Sequence, residues 1–126
     1  MTVQRFNPPT MMKPIGGYCQ ATRRGNIVAT AGVAAIDKDG KIVGEDIATQ
    51  TRVTIDNMRY ALEAAGASLA DVLKVTVYIT DFANYKAFNQ AYDEYFAGNP
   101  PARATVRADL VLPQLLVEMD AIAVVG

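Results

Sequence analysis

Four charged residues near the C-terminus stand in two segments that otherwise read as strands. Glu118 and Asp120 share one face of the apolar run Leu115–Val125 and lie about 7 Å apart, because alternate residues of a strand point the same way. Arg103 and Arg107 share a face of the preceding segment for the same reason. A single loop separates the two segments, so we expect the arginines and the carboxylates to meet across a strand pair.

Charged side chains in such segments are seldom buried unless they form ion pairs or take part in binding or catalysis. One interpretation is a structural ion-pair network at a subunit interface. The other is a binding site, in which an arginine holds a substrate carboxylate through two parallel hydrogen bonds that its planar guanidinium suits. The nearby carboxylate then orients or deprotonates a water molecule. The residues alone leave both interpretations open.

Composition excludes several other kinds of chemistry. The sequence contains no histidine and no tryptophan, and Cys19 is its only cysteine. Ser-His-Asp triads, Cys-His dyads and zinc sites built on imidazole or several thiolates are therefore excluded. The 12 basic and 13 acidic residues give a formal charge of -1, which does not favour a nucleic-acid partner. We expect neither a metal nor an organic cofactor. Any catalysis would then depend on carboxylates, arginines, hydroxyls, backbone groups and water.

Length and composition predict one globular domain. The 126 residues, 51% of them hydrophobic and 20% charged, fit a single domain over residues 1–126 without a linker. One cysteine cannot form an internal disulfide, and residues 1–13 lack the apolar stretch of a signal peptide. No apolar run reaches the length of a membrane helix. We therefore expect a soluble cytoplasmic protein without a membrane partner.

The first part of the chain predicts antiparallel strands. A short strand at 17–21 precedes the turn residues Arg23–Asn26, where glycine and asparagine suit a tight hairpin. The apolar run Ile27–Ile36 predicts a second strand. A turn at 37–40 then leads into a third short strand, Lys41–Val43.

The remainder alternates between helical and strand periodicity. Apolar residues at three-to-four spacing predict a helix from Asp46 to Gly66 and a second one from Asn84 to Phe96. The alternation over Val72–Thr80 predicts a strand between them, and Arg103–Arg107 and Leu115–Val125 follow as the last two strands. The order β-β-β-α-β-α-β-β predicts an α+β fold with a mixed sheet.

The handedness of strand-helix-strand connections places both helices on one face of that sheet. The opposite face would then expose much of two apolar strands, and no further chain is left to cover it. We therefore expect a homo-oligomer.

Several motifs together resemble the YjgF/RidA family of reactive intermediate deaminases, also called the endoribonuclease L-PSP family. The similarity extends from about Ile15 to Val124 and rests on four stretches. They are Gly44-Glu45-Asp46 before the first helix, the segment Tyr78 to Phe96, Pro100-Pro101-Ala102-Arg103-Ala104-Thr105-Val106, and Val117-Glu118-Met119-Asp120-Ala121-Ile122-Ala123.

The resemblance implies a chorismate-mutase-like fold and a homotrimer with active sites between subunits. It also implies hydrolysis of 2-enamino and 2-imino acids, such as 2-aminoacrylate and 2-iminopropanoate, to 2-oxo acids and ammonia. Arg103 stands where the family's arginine binds the substrate carboxylate, and Glu118 where its glutamate helps to hold the attacking water. The main chain of Thr105 stands where a carbonyl contacts that water, and Tyr18 and Asn89 match two further pocket residues.

The sequence departs from the family pattern in two strands. Members usually read Gly-Pro-Tyr-Ser-Gln-Gly in the first, where this chain has Gly-Gly-Tyr-Cys-Gln-Ala with Cys19 beside Tyr18. They commonly read Thr-Ser-Gly-Gln in the second, where Ala31 and Gly32 are followed by Val33. Ala31 lacks the family's serine hydroxyl, and a lost hydrogen bond of this kind is worth about 1 kcal/mol.

Three alternatives to the deaminase remain at this stage. A non-catalytic trimer would use the same arginine to bind 2-oxo acids or other small carboxylates, and the altered second strand favours it slightly. An endoribonuclease has little support in a chain with no histidine and no basic stripe. A chorismate mutase would also use arginines for its dicarboxylate, but the motifs match the deaminases better.

Overall fold

The computed structural model describes residues 2–126, which form a mixed sheet with two helices packed on one of its faces. The strands are β1 (Gln4–Phe6), β2 (Ala21–Arg24), β3 (Ile27–Thr30), β4 (Val33–Ala34), β5 (Val72–Ile79), β6 (Ala102–Arg107) and β7 (Val117–Val124), and the helices are α1 (Ile47–Ala64) and α2 (Tyr85–Phe96). Single 3-10 turns at Leu69–Asp71 and Phe82–Asn84 precede β5 and α2. The predicted α+β class is confirmed.

The sheet order is β1-β2-β3-β7-β5-β6, and β4 pairs with β7 beyond the end of β3. β5 and β6 are parallel, whereas the other pairs are antiparallel. Parallel strands need a long crossover connection, and α2 supplies it here. The prediction of a partly parallel sheet is therefore confirmed.

The pairing expected between the last two strands is wrong. β5 lies between β6 and β7, and it pairs with β6 through Val75 and Arg103 and with β7 through Tyr78 and Glu118. Successive strands are neighbours in only about two-thirds of cases. The loop from 108 to 116 passes the C-terminal end of β5, where the Ala108 N–H donates to the Ile79 carbonyl and the Thr80 N–H to the Leu116 carbonyl. Arg103 and Glu118 therefore do not meet across a ladder.

Three strand predictions in the first part of the chain also need correction. The predicted strand 17–21 is irregular until β2 begins at Ala21, and β1, which sequence analysis did not predict, pairs with β2. The run Ile27–Ile36 divides into β3 and β4, with Ala31 and Gly32 between them. Lys41–Val43 contributes only an isolated bridge between Ile36 and Ile42.

At the C-terminal end of the chain, the last strand begins at Val117 rather than Leu115.

Both helices begin and end where their sequences indicate. The Asp46 carboxylate accepts a hydrogen bond from the Thr49 N–H at 2.9 Å and caps α1. Gly66, with φ of 84°, follows the helix, and the next residue, Ala67, donates to the Leu62 carbonyl at 2.8 Å. Glycine adopts this left-handed conformation at little cost. Within residues 2–126, neither helix is long and apolar enough to cross a membrane.

The two faces of the sheet have different surroundings. Alternate residues of β7, such as Val117 and Met119, are buried in one core with Val75 and Val77 of β5 and the apolar faces of both helices. The face turned away from the helices, which we call the open face, carries the other half of each strand. On β7 these residues are Glu118, Asp120, Ile122 and Val124, of which Ile122 is 47% exposed.

Candidate functional site

The candidate residues fall into two clusters on opposite faces of the sheet. Arg103 is in register with the buried Val75, so its side chain lies on the helix side. Glu118 is in register with Tyr78, one residue out of phase with the buried Val77, and therefore lies on the open face. We call them the arginine cluster (Arg103, Tyr85, Phe88, Asn89 and Tyr92) and the glutamate cluster (Glu118, Asp120, Tyr78 and Gly32).

Neutral side chains of α2 hold the Arg103 guanidinium. Its Nη2 donates to the Tyr85 hydroxyl at 3.0 Å and to Asn89 Oδ1 at 2.8 Å. Its Cζ lies 5.2 Å from the ring centroid of Phe88 and 4.7 Å from that of Tyr92, within the range of cation–π attraction. Tyr85 and Asn89 are four residues apart and share a helical face, which places both beside the edge strand β6.

The positive charge of Arg103 is not neutralised within the protomer. Across residues 2–126, no carboxylate forms an ion pair with it, and its Nε and Nη1 donate no hydrogen bond. Burial raises the pKa of Tyr92 to about 12, so this phenol is neutral at physiological pH and cannot balance the guanidinium. The cluster thus presents a fixed cation with free donors, the arrangement that binds a carboxylate.

Backbone packing brings the Glu118 carboxylate close to Gly32. Glu118 pairs with Ala34 of β4 and Tyr78 of β5, so Gly32 lies just beyond the end of β4. A Cβ added to Gly32 would lie 2.7 Å from Glu118 Oε2, closer than a side chain can approach. The absence of a side chain at position 32 therefore leaves the space that the carboxylate occupies.

Glu118 differs from its neighbour Asp120 in its partners. The Tyr78 hydroxyl donates to Asp120 Oδ2 at 2.9 Å, and this hydrogen bond is the main cause that raises the pKa of Tyr78. No side chain in the described part of the chain forms an ion pair with Glu118. Burial and, secondly, the charge of Asp120 raise the pKa of Glu118 above its ordinary value. Glu118 is thus a half-buried carboxylate whose oxygens are available to a water molecule.

A cavity of about 420 Å³ opens beside Glu118. Tyr18 and Gly32, both predicted from the sequence, line it together with Glu118. Most of its other wall is apolar and comes from the N-terminal segment, β4 and the loop before β7.

The other predicted residues lie outside this cavity. Thr105 lies on the helix side of β6 and, with Phe82 and Tyr85, lines a shallow depression of about 220 Å³. Ala31 lies between β3 and β4 and donates its N–H to the Gln20 carbonyl at 2.9 Å. The half-buried Cys19 donates its thiol to the Ala21 carbonyl at 3.4 Å. One protomer therefore brings together Arg103 with Asn89, and Tyr18 and Gly32 with Glu118, but not the two sets.

Of the side chains around Arg103, only Asn89 was predicted from the sequence as a site residue. The aromatic stripe Tyr85, Phe88 and Tyr92 has the spacing of a packing face, and Phe88 and Tyr92 do pack in the core. The same rings also surround Arg103. Asn89 at four residues from Tyr85 was the available signal, because a polar pair on one helical face indicates a shared partner.

Comparisons with known proteins all find similarity to the same family. The sequence profile described as "Endoribonuclease L-PSP" matches residues 9–125. A RutC family protein of Pyrococcus abyssi is 46% identical over 112 residues, which cover 88% of each chain.

Solved structures show the same fold over nearly the whole chain. YyfA of Yersinia pestis, a protein of unknown function in the conserved Rid protein family, has a TM-score of 0.91 at 32% identity and covers 98% of this chain and 100% of its own. TdcF of E. coli, solved with bound serine, has a TM-score of 0.90 at 28% identity and covers 98% and 99%.

Proposed function

The chain belongs to the endoribonuclease L-PSP family, and on this basis we propose that it is a hydrolytic deaminase of 2-enamino and 2-imino acids. Its products are a 2-oxo acid and ammonia, and it works as a homotrimer without a cofactor. The observation that carries the proposal is that Arg103, lined by aromatic rings, and the half-buried Glu118 both lack an ion-pair partner within residues 2–126. A substrate with a carboxylate beside an electrophilic carbon needs one group of each kind.

Arg103 binds the substrate carboxylate. Tyr85 and Asn89 accept hydrogen bonds from the two N–H groups of Nη2, and the N–H groups of Nε and Nη1 stay free to donate to the carboxylate. Nε and Nη1 lie on different edges of the guanidinium, so the carboxylate accepts from Nη1, and it gains a second, parallel hydrogen bond when one of the α2 partners releases Nη2. Because these partners are neutral amide and phenol groups, the guanidinium keeps its full charge for the substrate. Most of the catalytic effect then comes from fixing the reactive carbon against a positioned water.

Glu118 holds and activates that water. As the water oxygen bonds to C2 of the imine, Glu118 accepts one of its protons and passes it to the imine nitrogen, which gives a carbinolamine and leaves Glu118 ionised again. The C–N bond then breaks as the carbinolamine hydroxyl gives its proton, through Glu118 or water, to the departing nitrogen, which leaves the 2-oxo acid and ammonia. An enamine first tautomerises to the imine, with bound water carrying the proton. Imines hydrolyse readily in water, so only a modest barrier reduction is required.

The opposite placement of the two clusters supports an active site between subunits. Arg103 lies on the helix side and Glu118 on the open face, and one protomer cannot present both to one small molecule. A neighbouring copy that covers the open face with its β6 edge would bring its Arg103 to the Glu118 cavity. The exposed apolar residues Ile122 and Val124 on that face suit such an interface.

The direct test is the activity of Arg103→Ala. Ammonia release from freshly generated 2-aminoacrylate should fall at least about 100-fold, and Arg103→Lys should recover only part of it because lysine lacks the planar fork. Arg52→Ala, which removes an exposed arginine paired with Glu94, is the matched control and should retain full activity. Undiminished turnover in Arg103→Ala would overturn the proposal.

The second candidate is a non-catalytic trimer that binds small carboxylates. The missing hydroxyl at Ala31 favours it, and the structure of TdcF with bound serine shows that a relative holds a small amino acid. Titration calorimetry with 2-oxobutanoate beside the deaminase assay separates the two candidates. A binder gives heat with the oxo acid but no turnover of the imine.

A further inference from the structure

We propose that the cavity beside Glu118 is a side-chain subsite that selects 2-imino acids with long, uncharged apolar side chains, such as the leucine-derived and methionine-derived compounds, over 2-iminopropanoate. The inference rests on the proposed function and adds the substrate class. It follows from the walls, the polar groups and the size of the cavity.

The walls of the cavity are flexible and apolar. Met11 and Met12 come from the N-terminal segment, Ile36 from the stretch after β4, and Val111 and Leu112 from the loop before β7. Unbranched methionine side chains adapt to ligands of different shape. Val111 is 88% exposed and Leu112 38% exposed in the single chain, so these two residues form a rim that a ligand can cover.

The two amide side chains that line the cavity, Gln20 and Asn57, use most of their N–H groups within the protein. Gln20 Nε2 donates to the Met12 carbonyl at 2.9 Å. Asn57 Nδ2 donates to the carbonyls of Ala34 and Ile36, both at 2.8 Å. Both residues are buried, and these bonds fix the backbone of the cavity wall. Three of their four N–H groups are therefore not available to a ligand's polar end.

The charge of the cavity disfavours acidic side chains. Within the described part of a single chain, no lysine or arginine lines it, and the charged group in its lining is the Glu118 carboxylate. A second carboxylate on the ligand would be repelled by Glu118 and would find no cation to bind. A 2-imino acid derived from glutamate is therefore rejected, although it carries the same reacting group.

The size of the cavity argues against the smallest substrate. The cavity of about 420 Å³ in the single chain also has to hold the reacting end of the substrate, the water and the neighbouring copy's Arg103. A methyl group would leave the part beside Met12 and Leu112 unfilled, whereas the side chains of leucine and methionine bury several more carbon atoms there. Each methylene in an apolar pocket discriminates by roughly tenfold or more. Chain length should consequently increase affinity.

Binding of 2-oxo acids, which are stable products of the reaction, tests the subsite without requiring turnover. Titration calorimetry on the wild-type protein should give a Kd for 4-methyl-2-oxopentanoate at least about tenfold below that for pyruvate, with 2-oxoglutarate weakest. Met12→Lys replaces one unbranched side chain by another and adds a cation, so it should raise the affinity for 2-oxoglutarate about tenfold and lower that for 4-methyl-2-oxopentanoate. Val3→Lys, at an exposed apolar residue before β1, should leave the ranking unchanged.

The outcomes separate the subsite from the proposed reaction. Equal or tighter binding of pyruvate, or an unchanged ranking in Met12→Lys, overturns the subsite and indicates that a neighbouring copy fills the cavity. The expected ranking without turnover of any imine supports the subsite and overturns the deaminase. Turnover without dependence on chain length overturns the subsite alone.

Discussion

Glu118 sets the pH range of the proposed reaction. Only its ionised form can accept a proton from water, and both burial and the charge of Asp120 favour the protonated form. Its pKa therefore lies above the ordinary glutamate value, and activity should decline on the acid side at a higher pH than for an exposed glutamate. As the pH rises through this pKa, the active form becomes dominant.

Asp120→Asn should move this acid limb to lower pH. The substitution removes the charge that raises the pKa of Glu118, while the amide oxygen of asparagine can still accept the hydrogen bond from Tyr78. The midpoint falls but does not reach the ordinary value, because burial persists. The measurement is kcat/KM against pH, with the exposed turn residue replaced in Asp39→Asn as control. An unchanged midpoint in Asp120→Asn would show that Glu118 is not the group that titrates.

At the residue scale, sequence spacing identified the chemistry but not its surroundings. Arg103 and Glu118 stood out because charges interrupt strand-like segments. The aromatic residues around Arg103 did not stand out, because helical spacing is the same for a packing face and for a cradle. A cradle differs from a packing face here because β6 lies beneath α2 and brings Arg103 against Tyr92. This contact is between residues far apart in sequence, so the spacing within α2 does not indicate it.

At the element scale, the buried side chain of Gln50 joins α1 to the loop before β7. Its Nε2 donates to the carbonyls of Gly44 and Gln114 at 3.1 and 3.0 Å, and its Oε1 accepts from the Leu116 N–H at 2.8 Å. Leu116 lies two residues before Glu118. One amide thus fixes the start of β7 and the wall of the cavity.

Gln50→Leu should destabilise the protein by about 2 kcal/mol, because it leaves three part-buried backbone groups, at Gly44, Gln114 and Leu116, without their partner. Urea denaturation measures this loss as a lower midpoint. Gln90→Leu changes the same residue type at an exposed position of α2 and should have little effect. An equal loss in both variants would mean that the hydrogen bonds of Gln50 do not hold the loop.

The elements themselves were predicted with unequal success. Both helices follow from their periodicity and caps, and the parallel pair β5–β6 follows from the crossover through α2. The interruption at Ala31 and Gly32 between β3 and β4 was not predicted. The run Ile27–Ile36 is largely apolar, and its hydrophobicity pattern does not change where the strand is interrupted. The position of β7 was missed because strand order depends on long-range contacts.

At the scale of the whole molecule, the proposed site requires residues from two copies of the chain. Arg103→Ala and Glu118→Gln proteins should each be inactive. When they are unfolded together and refolded as a mixture, some trimers join an intact Arg103 to an intact Glu118, and random assembly should restore about a quarter of the sites.

The assay is ammonia release by the refolded mixture, and each variant refolded alone is the control. Recovery of activity only in the mixture supports a site between subunits. A mixture that stays inactive although both variants form trimers by light scattering would place the whole site within one chain, contrary to the proposal.

The separation of Arg103 and Glu118 by the thickness of the sheet also has a genetic consequence. Under the proposed arrangement, a chain that lacks both residues disables one site with each of its two neighbours. In a cell that makes normal and defective chains in equal amounts, about a quarter of the sites would work, rather than the half expected for self-contained subunits. Loss of function in this protein would then be partly dominant, because a faulty copy impairs the chains beside it.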